Sequence, residues 1–165
     1  MKTVGLWGIR AEEMNLIWAK LPRNLREPNR FVELPAVTQL MAAEQFDLLA
    51  ISPTAETEGV APLPPSRLLL LPGTEVSLLS HCISSCVISY GASHKDSLTI
   101  SSLDPPTVSL AILRELPTLT GGIVERQELQ FPLRGQEPAL SLVFRVGLLL
   151  VLGLPVEEIP ALLSH

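Results

Sequence analysis

The sequence predicts an α/β protein: a parallel sheet first, an antiparallel β extension next, and helices at the end. Three observations predict it. Apolar strand-like runs alternate with helix-like stretches through the first ninety or so residues, the order that crossover-connected parallel strands produce. Residues 97–133 then change to short alternating runs separated by Pro and Gly turns, as antiparallel strands do. Residues 139–152 form an apolar block interrupted by Ser141 and Arg145, which suits a helix packed between layers. With 165 residues and 47% hydrophobic positions, the chain can bury the core of one domain. The expected architecture is therefore a single Rossmann-like α/β domain. Its parallel part spans residues 1–91, its antiparallel extension 92–135 and its C-terminal helices 136–165.

The elements follow in order. Residues 3–9 (TVGLWGI) read as a strand, and residues 11–21 place Met14, Ile17, Trp18 and Leu21 at helical spacing, with Glu12 and Glu13 in the first turn, where the helix dipole favours acids. Residues 22–30 read as a loop, 31–34 as a short edge strand, 37–45 as a helix and 46–51 (FDLLAI) as a buried strand interrupted by Asp47. The proline-rich residues 52–66 read as an exposed loop and 67–71 (RLLLL) as a strand. Thr74 is placed to cap a helix over 75–83 that leads into a strand at 86–90. Residues 97–103 and 123–133 read as extended. Residues 107–116 favour a strand, with a competing helix started by Asp104 and two prolines. Gly153 stops the helix over 139–152, and Pro155 with Glu157 and Glu158 opens a second, short one to residue 163.

Composition excludes some functions. A formal net charge of −5 with scattered acids does not make a nucleic-acid surface, which needs clustered Lys and Arg. Arg145 divides the apolar residues 140–154, so no membrane span of about 20 apolar residues is expected. The short apolar run before Arg10 does not suit a signal peptide. With two cysteines in the chain, the expected compartment is the cytoplasm.

The second half, through VISYGASHKDSLTISSL, FPLRG, ALSLVFRVGLLLVLGLP and VEEIPALL, resembles the central-domain tail of Mur-ligase-type enzymes, which join amino acids to cell-wall precursors. The resemblance covers residues 86–163. It implies a related fold in which a strand ends in a Tyr-Gly pair and an apolar helix ends in Gly-Leu-Pro before a short acidic helix. The phosphate-holding loop ending in Gly-Lys-Ser or Gly-Lys-Thr is absent from the chain, and Gln136-Glu137-Pro138 replace the family's Asn-rich helix entry. The resemblance therefore implies fold and no ligase residues.

Each cluster of reactive residue types has a plainer reading. His81, Cys82, Cys86 and His94 contain metal-ligand types, but a lone Cys pair lacks the second pair of a zinc site, and inert, buried thiols are expected. Ser93, His94 and Asp96 contain the types of a nucleophilic triad without a nucleophile elbow, so they read as a polar bend. The pairs Glu44 and Asp47, and Glu125 and Glu128, read as solvated acids. Gly5 and Gly8 lack full dinucleotide spacing and read as a tight strand-to-helix turn.

One positional argument remains. Parallel sheets bind ligands beyond the carboxyl ends of their strands. That edge collects Gly8, Arg10, Thr54, Thr74, Tyr90, Gly91, Ser93, His94 and Lys95, donors and cations suited to a small anionic ligand. The expected protein is a non-catalytic, homo-oligomeric binding or assembly module without metal or cofactor. The alternative is a small enzyme with His94 as acid–base, Lys95 as electrostatic stabiliser and Tyr90 or Ser93 as helper.

Overall fold

The computed structural model describes residues 1–34, 45–56 and 63–163, so the expected helix at 37–45 lies, but for its last residue, outside the described residues. The fold is mixed α/β, built on an eight-stranded, mostly parallel sheet with an antiparallel extension. The chain forms two compact units. The first comprises Met1–Leu71 and Glu75–Val87, and the second Pro72–Thr74 and Ile88–His165.

The first unit contains β1 (Lys2–Trp7), β2 (Asn29–Leu34), β3 (Phe46–Ile51) and β4 (Ser66–Pro72); β2 (NRFVEL) is half polar, and the other three are mainly apolar. β1 lies parallel between β2 and β3, and β3 is parallel to β4. Register decides the faces. Gly5 stands opposite Val32 and Leu49, and Trp7 opposite Leu34 and Ile51. Trp7, Leu34, Leu49 and Ile51 join Leu69, Leu71, Phe46, Leu63 and Leu78 in one buried cluster. Gly5 is small because a Cβ there would stand 2.9 Å from two carbons of the Phe46 ring. α1 (Ala11–Lys20) follows β1 and sends Trp18 edge-on to Phe31 of β2, with ring centroids 4.6 Å apart. Asp47, the single acid in its strand, accepts the Thr3 N–H at 2.8 Å and so satisfies a donor at the start of β1.

Two local expectations change here. Residues 22–30 contain a one-turn helix, α2 (Arg23–Arg26), whose one buried side chain is Leu25. A single apolar residue leaves no periodicity to read. Gly73–His81 is a 3-10 segment rather than an α-helix, broken at Glu75 (φ −101°, ψ 29°), and the side chain it buries in the cluster is Leu78.

β5 (Ser84–Gly91) belongs to both units, its residues from Ile88 onward to the second. β6 (Leu98–Asp104) pairs in parallel with the end of β5, through Tyr90 with Leu98 and Gly91 with Thr99. β6 is thus the strand at which the sheet changes from parallel to antiparallel pairing. β7 (Thr107–Ile112) pairs antiparallel with β6 and with β10 (Gln127–Pro132), which makes the strand reading of this segment the right one. A cis peptide bond joins Pro105 and Pro106 in the β6–β7 turn. A small hairpin, β8 (Leu116–Pro117) and β9 (Ile123–Val124), stands apart.

α3 (Ala139–Leu152) is buried along nearly its whole length and packs against β6 and β8. Gly153 ends it in a left-handed conformation, φ 104°. The Gly153 and Leu154 N–H groups return to the Leu150 and Leu149 carbonyls, which closes the helix end. Arg145, the charge inside the apolar block, forms an ion pair with Glu137. A short 3-10 turn, Val156–Glu158, leads into α4 (Ile159–Leu163). Among the described residues, no helix is long and apolar enough to cross a membrane.

Candidate functional site

The residues expected at the carboxyl strand ends are divided between the two units. In the first unit, the segment after β3 wraps the turn after β1. Ser52 Oγ donates to the Gly8 carbonyl at 2.7 Å and Thr54 Oγ1 to the same oxygen at 3.1 Å, while Ser52 N–H reaches Trp7 O at 2.9 Å. Gly8 has φ +79°, and a Cβ on it would lie 2.6 Å from the Ala55 backbone. Both hydroxyls are thus spent on the chain itself, and close backbone packing accounts for the glycine. Arg10 is exposed at the start of α1.

The second unit holds the more informative group, organised by Asp96. This carboxylate is 4% exposed and sits against the ends of two strands. A Cβ at Gly73 would stand 1.9 Å from its Oδ1, and one at Gly91 2.6 Å from its Oδ2. The two glycines are therefore the walls of a slot that Asp96 fills. Asp96 accepts the Ser93 N–H at 3.1 Å on Oδ2, and its own N–H donates to Ser93 O at 3.0 Å, so the bend is tied at both ends. Sequence alone did not single out Asp96 in this role. The signal was an acid at the close of a polar bend with glycines at nearby strand ends, a pattern that no local rule ranks above a solvated acid.

Above this slot the turn is exposed. Ser93, His94 and Lys95 all face solvent, as does Thr74 beside Gly73. The Lys95 N–H donates to Ser93 Oγ at 3.2 Å, and Arg114 Nη1 donates to the Lys95 carbonyl at 2.7 Å. Arg114 thus joins the group, a residue that sequence reasoning missed because it lies nineteen positions further along the chain. Tyr90 takes the other face of β5. It is fully buried, with its ring centroid 5.6 Å from that of Phe144 on α3, so strand alternation leaves the Gly91 backbone, not the Tyr90 side chain, at this edge.

Thr99 adds a polar group nearby. It is registered opposite Gly91, on the sheet face that Asp96 occupies. Its Oγ1 is buried without a partner among the described residues.

The arrangement supplies donors and cations rather than a reacting pair. Among the described residues no hydrogen bond joins Ser93 to His94, and no group of His, Cys, Asp and Glu is placed to hold a metal ion. Cys82 and Cys86 are free and half-buried. Burial pushes the Cys82 thiol above its ordinary value, and its Sγ lies 3.5 Å from the Leu79 carbonyl, which keeps it a neutral, weak donor. Of the two expected acid pairs, Glu44 lies outside the described residues, and Glu128 accepts the Ser101 hydroxyl at 2.8 Å on an exposed surface.

Among the described residues, each unit also has an open cleft. One, of about 550 Å³, runs along the amino ends of β3, β4 and β5, between Asp47, Arg67 and Ser84. The other, of about 420 Å³, lies between the β8–β9 hairpin and the end of α3, beside Thr118, Thr120 and Glu125. Neither is lined by His94 or Lys95. No protein-family model matches the chain, and no curated protein matches it.

Proposed function

We propose that this protein is a non-catalytic binding and assembly module that receives a small anionic metabolite on the Ser93–His94–Lys95 turn. The observation that carries the reading is the bracing of that turn: Asp96 fixes it from beneath and Arg114 from the side, while its own side chains stay exposed. A braced turn that presents an exposed ammonium loses little entropy on binding, and a charge-assisted contact to an anion is the strong kind of hydrogen bond. The two unbridged cysteines support a cytoplasmic setting. Kinship of fold with the Mur-ligase central-domain tail is part of the proposal. It draws support from β5 ending in Tyr90-Gly91 and from α3 ending in Gly153-Leu154-Pro155.

The test is an amide-resolved NMR titration with inorganic phosphate and pyrophosphate. Shifts confined to residues 91–96 and 114 are expected, with affinity falling about tenfold in Lys95→Ala, whose side chain is exposed. Absence of shifts at that turn, or shifts unchanged in Lys95→Ala, overturns the reading.

A further inference from the structure

The cleft at the amino ends of β3, β4 and β5 belongs wholly to the first unit, and it gathers polar groups that the fold leaves unused. Phe46 pairs with Ser66 and Leu48 with Leu68, so Asp47 and Arg67, between them, stand side by side on adjacent strands and share a face. They form no ion pair with each other, and among the described residues no carboxylate pairs with Arg67. Asp47 gives Oδ2 to the Thr3 N–H, and its Oδ1 accepts no hydrogen bond among the described residues.

Ser66 is the more telling group. It is 8% exposed, it lines the cleft, and its hydroxyl has no hydrogen-bond partner among the described residues. Unlike the unpartnered Thr99 Oγ1, this hydroxyl is not fully enclosed, so the surface it keeps opens into the cleft. Native structures rarely leave a mostly buried hydroxyl unpaired. Ser84 is spent on the Cys86 carbonyl at 3.0 Å, whereas Ser85 is exposed and its hydroxyl makes no hydrogen bond among the described residues.

We propose that this cleft binds a compact zwitterion, its oxyanion on Arg67, Ser66 and Ser85 and its primary ammonium on Asp47. The charges choose the ligand. Arg67 and Asp47 are the charged groups of the lining, so an ion of one sign is attracted by one and repelled by the other, whereas a ligand bearing both signs pairs with each. Charge-assisted hydrogen bonds are the strong ones, and a guanidinium takes an oxyanion in two parallel contacts. Side chains one strand spacing apart, about 4.8 Å, suit ligand charges separated by a few bonds. A volume of about 550 Å³ is that of a small-molecule site. Ile83, 77% exposed in the same lining, gives a short aliphatic spacer a surface to lie on. This site shares no residue with the Ser93–His94–Lys95 turn and does not rest on it.

The test is an amide-resolved NMR titration of the intact protein with phosphoethanolamine and with β-alanine, whose phosphate and carboxylate tell the two kinds of oxyanion apart. Ethyl phosphate, propionate and ethylamine, each carrying charge of one sign, are the controls. Shifts at residues 47, 66, 67 and 85 are expected with at least one zwitterion, which should bind about tenfold more tightly than any control. Arg67 is exposed, so Arg67→Met should keep the circular dichroism of the parent and bind at least about tenfold more weakly. Ser66→Ala should weaken binding about threefold without lowering Tm, because its hydroxyl supports nothing in the free protein. Shifts at residues 91–96 and 114 belong to the turn and are read separately. No shift at the cleft residues with either zwitterion, equal affinity for ethyl phosphate or propionate, or binding unchanged in Arg67→Met overturns the proposal.

Discussion

Gly73→Ala is the sharpest probe of the Asp96 slot, because its sign depends on whether the carboxylate is there. The added methyl would stand 1.9 Å from Asp96 Oδ1, so the carboxylate must retreat by about 1.5 Å to reach ordinary contact. It cannot do so toward β5, where the Gly91 backbone already closes the slot. The retreat breaks the 3.1 Å bond from the Ser93 N–H. Losing a hydrogen bond to a buried charge costs about 2–3 kcal/mol, which lowers Tm by roughly 4–12 °C in a chain of this size. In an Asp96→Ala background the same substitution meets no carboxylate. Gly73 is not among the positive-φ glycines, so there Gly73→Ala should be neutral or stabilise by up to about 1 kcal/mol through the unfolded chain. The double-mutant cycle should thus show a coupling of about 3 kcal/mol. Trp7 and Trp18 lie in the first unit and the slot in the second, so far-UV circular dichroism and amide exchange in β5 and β6 are the proper readouts. Additivity of the two substitutions to within about 0.5 kcal/mol would refute the reasoning.

Two further perturbations test the rest of the structure. Gly5→Val drives a branched side chain into the Phe46 ring and against Leu49 Cδ1, 3.1 Å from the Cβ position. It should cost about 1–3 kcal/mol in urea unfolding followed by the fluorescence of Trp7, with partial recovery in Gly5→Val/Phe46→Leu. Cys82 gives a pH prediction. Burial raises its folded value above the unfolded one, so its contribution is whole below the ordinary thiol range near ~8.5 and is lost as pH rises through the raised value. Urea midpoints should therefore fall more steeply in alkaline buffer for the parent than for Cys82→Ser, and equal slopes would count against a desolvated thiol.

Local sequence determined much of this protein. The apolar runs of β1, β3, β4 and β5 and the apolar block of α3 with its Gly153 stop were legible because strand propensity, helical packing and a left-handed cap are short-range properties. The side of β5 on which Tyr90 lies, the parallel placing of β6 and the burial of Asp96 were not. Each depends on a partner distant in the chain: Phe144 for Tyr90, Gly73 for Asp96, and Arg114 for the turn above it. A polar bend between two strands has the same composition whether the second strand folds back beside the first or runs on in parallel. What decides is whether a carboxylate finds room between two glycine backbones, and that room exists only once the strands are assembled.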